Sequence, residues 1–156
     1  MTNRTSILVL ENIRSVENTA SIFRTADRFG VSKIVLVGTT PAPLDRFRRA
    51  RQDFAKVSLG AEKRVPWEYE KTAESAVKKL KQDGFQIIAL EQDLRAGQLK
   101  NFKAKEKFAL IVGSEVAGVE KKTLELSDEI VEIGTPGNSL SLNVSVAAGV
   151  ALFVLK

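Results

Sequence analysis

Three short groups of polar residues in this sequence have the types and the spacing to do chemistry. The first spans residues 12–24 and holds Asn12, Arg14, Asn18 and Arg24. The second, Gly113-Ser114-Glu115, ends the apolar run Phe108–Val112. The third, Ser141-Leu142-Asn143, follows a loop rich in Gly, Pro, Ser and Asn and precedes the apolar segment Val144–Leu155. A glycine at a strand end lets a ligand approach the backbone, and a carboxylate beside it accepts hydrogen bonds from a hydroxyl or an arginine. A helix start adds unpaired N–H donors and a positive dipole end. Together these groups suit the binding and orientation of a polar ligand at the ends of parallel strands, where α/β proteins usually hold one. Each group also has a purely structural reading. Gly-Ser is a common strand-to-loop turn, and Ser and Asn are favoured N-caps. Arg24 lies beside the core stripe of Ile22, Phe23 and Ala26, so it needs a phosphate or a carboxylate such as Asp27, Asp93 or Glu115.

Composition excludes several other chemistries. The 156 residues include no cysteine and no histidine, so disulfides, a Cys nucleophile, a Ser-His-Asp triad and the usual zinc site all lack their parts, and no metal is expected. The net charge of +5 favours a polyanionic partner. Arg46, Arg48, Arg49 and Arg51 are candidate phosphate contacts. Lys100, Lys103, Lys105 and Lys107 read instead as a solvated face. The apolar stretch Ile7–Leu10 is too short for a signal peptide, and Val144–Leu155 falls well below the roughly 20 residues of a membrane span. A cytoplasmic protein of a single domain is expected.

The elements that must position these groups follow from hydrophobic periodicity. Ser6–Leu10 reads as a strand, Ser15–Phe29 as an amphipathic helix closed by Gly30, and Lys33–Val37 as a second strand. Strand, helix and strand within about 30 residues form a βαβ unit with parallel strands. Leu44–Phe54 is expected as a short helix, Val57–Glu62 as a loop or helical turn, Arg64–Trp67 as an extended piece and Glu70–Asp83 as a helix. Gln86–Leu90, Phe108–Val112 and Glu129–Ile133 read as further strands, with a loop of little regular structure over Glu91–Lys107 and a short helix over Val119–Leu126. The terminal helix Asn143–Leu155 is apolar all round, which demands burial on more than one side; a second subunit is the natural cover.

The three motifs occur in an order that resembles the SpoU/TrmH branch of the SPOUT RNA methyltransferases. They run from Asn12 to Asp27, from Ala109 through Glu115 to Gly118, and from Ser141 to Gly149, so the resemblance covers nearly the whole chain. The family usually has Gly where Ala20 stands, Ile-Pro-Met where Ile133-Gly134-Thr135 stands, and often an acidic residue in place of Leu140. The resemblance implies a parallel-sheet α/β SPOUT fold with a C-terminal deep trefoil knot, a homodimer, S-adenosylmethionine as cofactor, and transfer of its methyl to a ribose 2′-hydroxyl of tRNA or rRNA. It implies a catalytic set of Arg24, Asn18, Glu115, Ser141 and Asn143. Leu90, Gly113, Ile133 and Leu142 would bind the cofactor, and Arg14 with Arg46, Arg48, Arg49 and Arg51 would bind RNA. Minimal members of the family include wobble-position tRNA enzymes, which points this short chain towards tRNA. The competing class is a non-catalytic RNA-binding or assembly protein that keeps the fold; retention of all five polar site residues argues against it.

Overall fold

The computed structural model describes residues 4–138 and 141–156; Leu140, a departure noted above, and Met1–Asn3 lie outside the described residues. Among the described residues, strands β1 (Thr5–Glu11), β2 (Lys33–Val37), β3 (Trp67–Glu70), β4 (Gln86–Leu90), β5 (Gly97–Gln98), β6 (Lys107–Val112) and β7 (Glu129–Glu132) form one sheet. Their order is β3-β2-β1-β6-β4-β7-β5, and every pair is parallel. The described residues also form six α-helices: α1 (Val16–Arg28), α2 (Gln52–Ser58), α3 (Ala61–Arg64), α4 (Ala73–Gln82), α5 (Lys121–Leu126) and α6 (Val144–Leu155). None of them is long and apolar enough to cross a membrane.

The near-continuous apolar character of β1 follows from burial of both its faces, because successive side chains alternate across the sheet. Leu8 and Leu10 join Phe23, Leu110 and Leu152 in one cluster, under α1, α2, α3 and α6. Ile7 and Val9 join Val77, Ile111 and Leu124 in the other, under α4 and α5. The result is a three-layer α/β/α arrangement, as expected for helices crossing over a parallel sheet. Helix α1 begins where the Ser15 hydroxyl accepts the N–H of Asn18 at 3.1 Å, and it ends before Gly30, whose φ of +66° suits a C′ residue.

Three segments depart from the sequence reading. The helix expected over Leu44–Phe54 starts only at Gln52, because Asp45 captures the chain first. Its Oδ1 accepts the N–H groups of Phe47 at 2.8 Å and Arg49 at 3.0 Å, and Arg48 takes a left-handed φ of 62°. An Asp side chain that caps local N–H groups favours a turn over a helix. Glu91–Lys107 contains the short strand β5 and a 3-10 turn at Leu99–Asn101, while Val57–Glu62 is helical on both sides of Gly60, the helical alternative of its reading. The helix expected from Glu70 starts at Ala73, since Thr72 is its cap and Glu70 still pairs in β3.

Helix α6 is covered on one side only within a single chain. Ala148, Ala151, Leu152 and Leu155 are buried, whereas Val146, Val150 and Phe153, spaced four and three apart, form an exposed stripe.

Candidate functional site

The C-terminal ends of β4, β6 and β7 and the start of α6 enclose a cleft of about 460 Å³. Leu90, Gly113, Ile133 and Leu142, expected to bind a ligand, all line it, as do Glu115, Ser141 and Asn143. Its floor depends on Gly113. After β6 the chain makes a tight loop that returns to pair Ser114 with Gly118, through hydrogen bonds of 3.2 and 2.8 Å. A Cβ on Gly113 would stand 2.2 Å from the carbonyl carbon of Gly118 and 2.3 Å from the nitrogen of Val119. Only glycine lets the backbone pass itself this closely.

Glu91 also holds this loop, and sequence reasoning missed it. Its carboxylate accepts the N–H groups of Val119 at 2.8 Å and Gln92 at 2.9 Å, and it lines the cleft. The signal available was its position as the first polar residue after the buried strand β4. At the departure Ile133-Gly134-Thr135 the chain runs close to the Gln98 side chain. A Cβ on Gly134 would fall 2.1 Å from the amide oxygen of Gln98, whose Nε2 donates to Glu132 at 2.9 Å.

At the rim of the cleft the three motifs meet. Glu115 accepts the backbone N–H groups of Arg14 at 2.9 Å and Ser15 at 3.1 Å, and the side-chain amide of Asn18 at 3.0 Å. The Oδ1 of Asn18 in turn accepts from the Nδ2 of Asn143 at 3.1 Å. Asn143 caps α6 through its own Oδ1, which accepts the N–H of Ser145 at 2.8 Å. The structural and functional readings of Asn143 are thus combined in one side chain. Asn12 serves the scaffold: it accepts from Thr39 N–H at 3.1 Å and donates to Glu120 at 3.0 Å.

The Glu115 carboxyl is pulled two ways. Desolvation raises its pKa, while the donors from Arg14, Asn18 and Ser15 favour the charged form and bring the pKa below the usual 4.5. A carboxyl depressed on folding contributes stability above its unfolded pKa, and that contribution is lost as pH falls through the lowered value. The difference in unfolding free energy between wild type and Glu115→Gln is therefore expected to stay constant down to about pH 4.5 and to shrink below it. Urea denaturation across the acid range checks this. A difference that persists unchanged to the lowest pH would show that charge on Glu115 does not hold the rim.

Arg24 corrects one expectation. Its side chain is exposed on α1 rather than half-buried, and it lies outside the residues lining the cleft. The three carboxylates considered for it are engaged elsewhere: Asp27 with Arg64, Asp93 with Arg95, and Glu115 in the rim. Arg24 pairs with no carboxylate among the described residues. Its neighbour Thr25 faces α6, with its methyl 3.6 Å from where a Cβ on Gly149 would sit. The arginine run divides in the same manner. Arg49 and Arg51 are tied to Asp45 and Asp53 at 2.9 and 2.8 Å, whereas Arg14, Arg46 and Arg48 are exposed and have no carboxylate partner among the described residues.

Comparison with known proteins agrees with this geometry. The model of the SpoU rRNA Methylase family matches residues 5–153. A 23S rRNA (guanosine-2'-O-)-methyltransferase of Blochmanniella floridana is 34% identical over 148 residues, covering 94% of this chain and 55% of the relative, so the chain spans about half of that protein's length. The crystal structure of an AdoMet-bound rRNA methyltransferase from Sinorhizobium meliloti shares the fold, with a TM-score of 0.86 at 24% identity over 96% of this chain and 55% of that one. The A. aeolicus TrmH/SpoU tRNA modifying enzyme superposes with a TM-score of 0.83 at 25% identity, covering 98% of this chain and 75% of that one.

Proposed function

We propose that this chain, which belongs to the SpoU rRNA methylase family, transfers a methyl group from S-adenosylmethionine to a ribose 2′-hydroxyl of RNA. The observation that carries the proposal is the rim itself, where Glu115, Asn18 and Asn143 join three motifs into one hydrogen-bonded relay beside the cleft. A module that only binds RNA needs a basic surface and no such relay.

The residues present fit the cofactor. The cleft volume lies within the usual range for small-ligand sites. Leu90, Ile133 and Leu142 offer apolar walls, and the strand-end backbone at Gly113 offers polar groups in close reach. Bound there, S-adenosylmethionine supplies an electrophilic methyl on a sulfonium. The protein's own task is to hold the ribose oxygen in line with that methyl and to ease loss of its proton. Asn18 has its amide geometry set from both sides by Glu115 and Asn143, so it positions the ribose or its phosphate. Ser141 adds a hydroxyl at the same rim. A guanidinium stays charged, so Arg24 acts by stabilising the developing alkoxide rather than as an ordinary base.

The function is tested by incubating the protein with methyl-labelled S-adenosylmethionine and RNA that lacks the endogenous methylation, then mapping the label. Label on a ribose 2′-oxygen is expected. Label confined to protein or to small molecules would overturn the RNA assignment.

The finer architecture belongs to the same proposal. Insertion of β6 between β1 and β4, with β7 beyond β4, is the strand order on which the reading of a C-terminal trefoil knot rests. The exposed stripe Val146, Val150 and Phe153 supports a homodimer across α6, since free apolar surface of this kind usually marks an interface. Arg24 lies on α1, whose Thr25 faces that helix, so in the dimer it serves the cleft of one subunit or the other, and the unpaired Arg46 and Arg48 hold the RNA. Val150→Asp is expected to weaken association and methyl transfer together, because a carboxylate buried without a partner is costly. Light scattering at micromolar concentration checks this; a wild-type mass near 17.1 kDa with full activity would end the dimer reading.

A further inference from the structure

Between β2 and α2 the chain presents a second arrangement that the cleft does not use. Phe47 stands at the tip of the turn Leu44–Ala50 and is 62% exposed, unusual for a phenylalanine. The turn that carries it is rigid: Leu44 pairs with Ala50, and Asp45 accepts from the N–H groups of Phe47 and Arg49 and from the Arg49 side chain. The guanidinium groups of Arg46 and Arg49 lie 4.9 and 5.0 Å from the centre of the Phe47 ring. Arg49 is anchored by Asp45, whereas Arg46 has no carboxylate partner among the described residues and is free to leave the ring.

We infer that Phe47 is a stacking platform for an unpaired RNA base next to the methylated nucleotide, with Arg46 and Arg48 gripping the flanking phosphates. This inference rests on the RNA function proposed above. An aromatic ring framed by cations, on a fixed turn, is how proteins hold single-stranded nucleic acid without reading its sequence. An exposed contact between a cation and a ring is weaker than base–aromatic stacking, so a base displaces Arg46 from the ring and leaves it for a phosphate. The placement is suitable. The turn follows the C-terminal end of β2, on the same edge of the parallel sheet as the cleft. Only β1 stands between β2 and β6 in the sheet, so the turn and the cleft open on neighbouring parts of that edge. Rigidity matters too, because a pre-formed turn loses little freedom on binding.

The test compares two fluorescein-labelled probes, a single-stranded oligoadenylate and an abasic oligomer of the same length. Phe47→Ala is expected to weaken binding of the oligoadenylate about tenfold, the scale of one lost stack, and to leave the abasic oligomer unaffected. Phe47→Trp should restore the affinity. The slope of log affinity against log salt should stay at the wild-type value in Phe47→Ala and fall by about 0.7 in Arg46→Ala, which loses one phosphate contact to a single strand. Wild-type affinity of Phe47→Ala for the oligoadenylate overturns the stacking role, as does an equal loss on both probes. A variant with half the wild-type mass would place Phe47 in a subunit interface instead and also overturn it. Failure of the wild type to bind either probe, unlike these outcomes, removes the RNA function as well.

Discussion

Arg24→Ala is expected to bind S-adenosylmethionine as the wild type does and to lose methyl transfer by at least about a hundredfold, the scale of a lost catalytic group. The two halves of this result come from different observations. Arg24 lies outside the cleft, and no residue lining the cleft depends on it for a hydrogen bond among the described residues, so its removal leaves the cofactor site intact. Its guanidinium is nevertheless an exposed cation on α1 with no carboxylate partner among the described residues, which leaves it available to charge that develops on the substrate. Removing a group that acts mainly in the transition state lowers kcat and kcat/KM alike, whereas loss of a simple RNA contact raises KM alone. Calorimetry with the cofactor and steady-state kinetics with RNA separate the two. Near-normal turnover in the variant removes Arg24 from the mechanism, and a rise confined to KM assigns it to RNA binding.

Gly113→Ala is expected to weaken cofactor binding by roughly a hundredfold while the protein still folds. The added methyl would meet backbone atoms of Gly118 and Val119 at 2.2 and 2.3 Å, and backbone cannot swing aside as a side chain can. The loop 114–118 must therefore lift, breaking the pairing of Ser114 with Gly118 and the bond from Val119 N–H to Glu91. Forced overpacking of this kind costs up to about 3 kcal/mol, equivalent to roughly a hundredfold in affinity if it falls on the bound state. Glu115 lies within the displaced loop, so its bonds to Arg14, Ser15 and Asn18 should loosen as well. Calorimetry tests binding and circular dichroism tests folding. Tight binding by a folded Gly113→Ala protein would show that the loop has another conformation equally suited to the ligand. By comparison Gly134→Ala should be mild, since the atom in its way is the end of the flexible Gln98 side chain.

What the sequence by itself determined about this protein was local. Apolar runs marked β1, β2, β4, β6 and β7, and three- and four-residue spacings marked α1 and α4, because each buried face imposes its own period on neighbouring residues, while α6 was marked by being apolar all round. The order of three polar motifs was also legible, and with it the family and seven of the residues that line the cleft, though not Glu91. Irregular segments were read less well. At Leu44–Ala50 and Gly97–Asn101 a few side-chain hydrogen bonds outweigh propensity, and these leave no period to detect.

The tertiary structure alone decided which of these parts meet. Asn18 and Asn143 are separated by 125 positions and Asn18 and Glu115 by 97, yet they share one relay because β6 is inserted beside β1 and α6 packs near α1. It also decided which arginines are free. The ties of Arg49 to Asp45 and Arg51 to Asp53, and the exposure of Arg24, follow from where the backbone directs each side chain rather than from composition. The physical reason is one of range. Burial period and capping are set by residues within a few positions of each other, whereas strand order and the convergence of distant loops are set by packing summed over the whole core, which no single stretch of chain encodes.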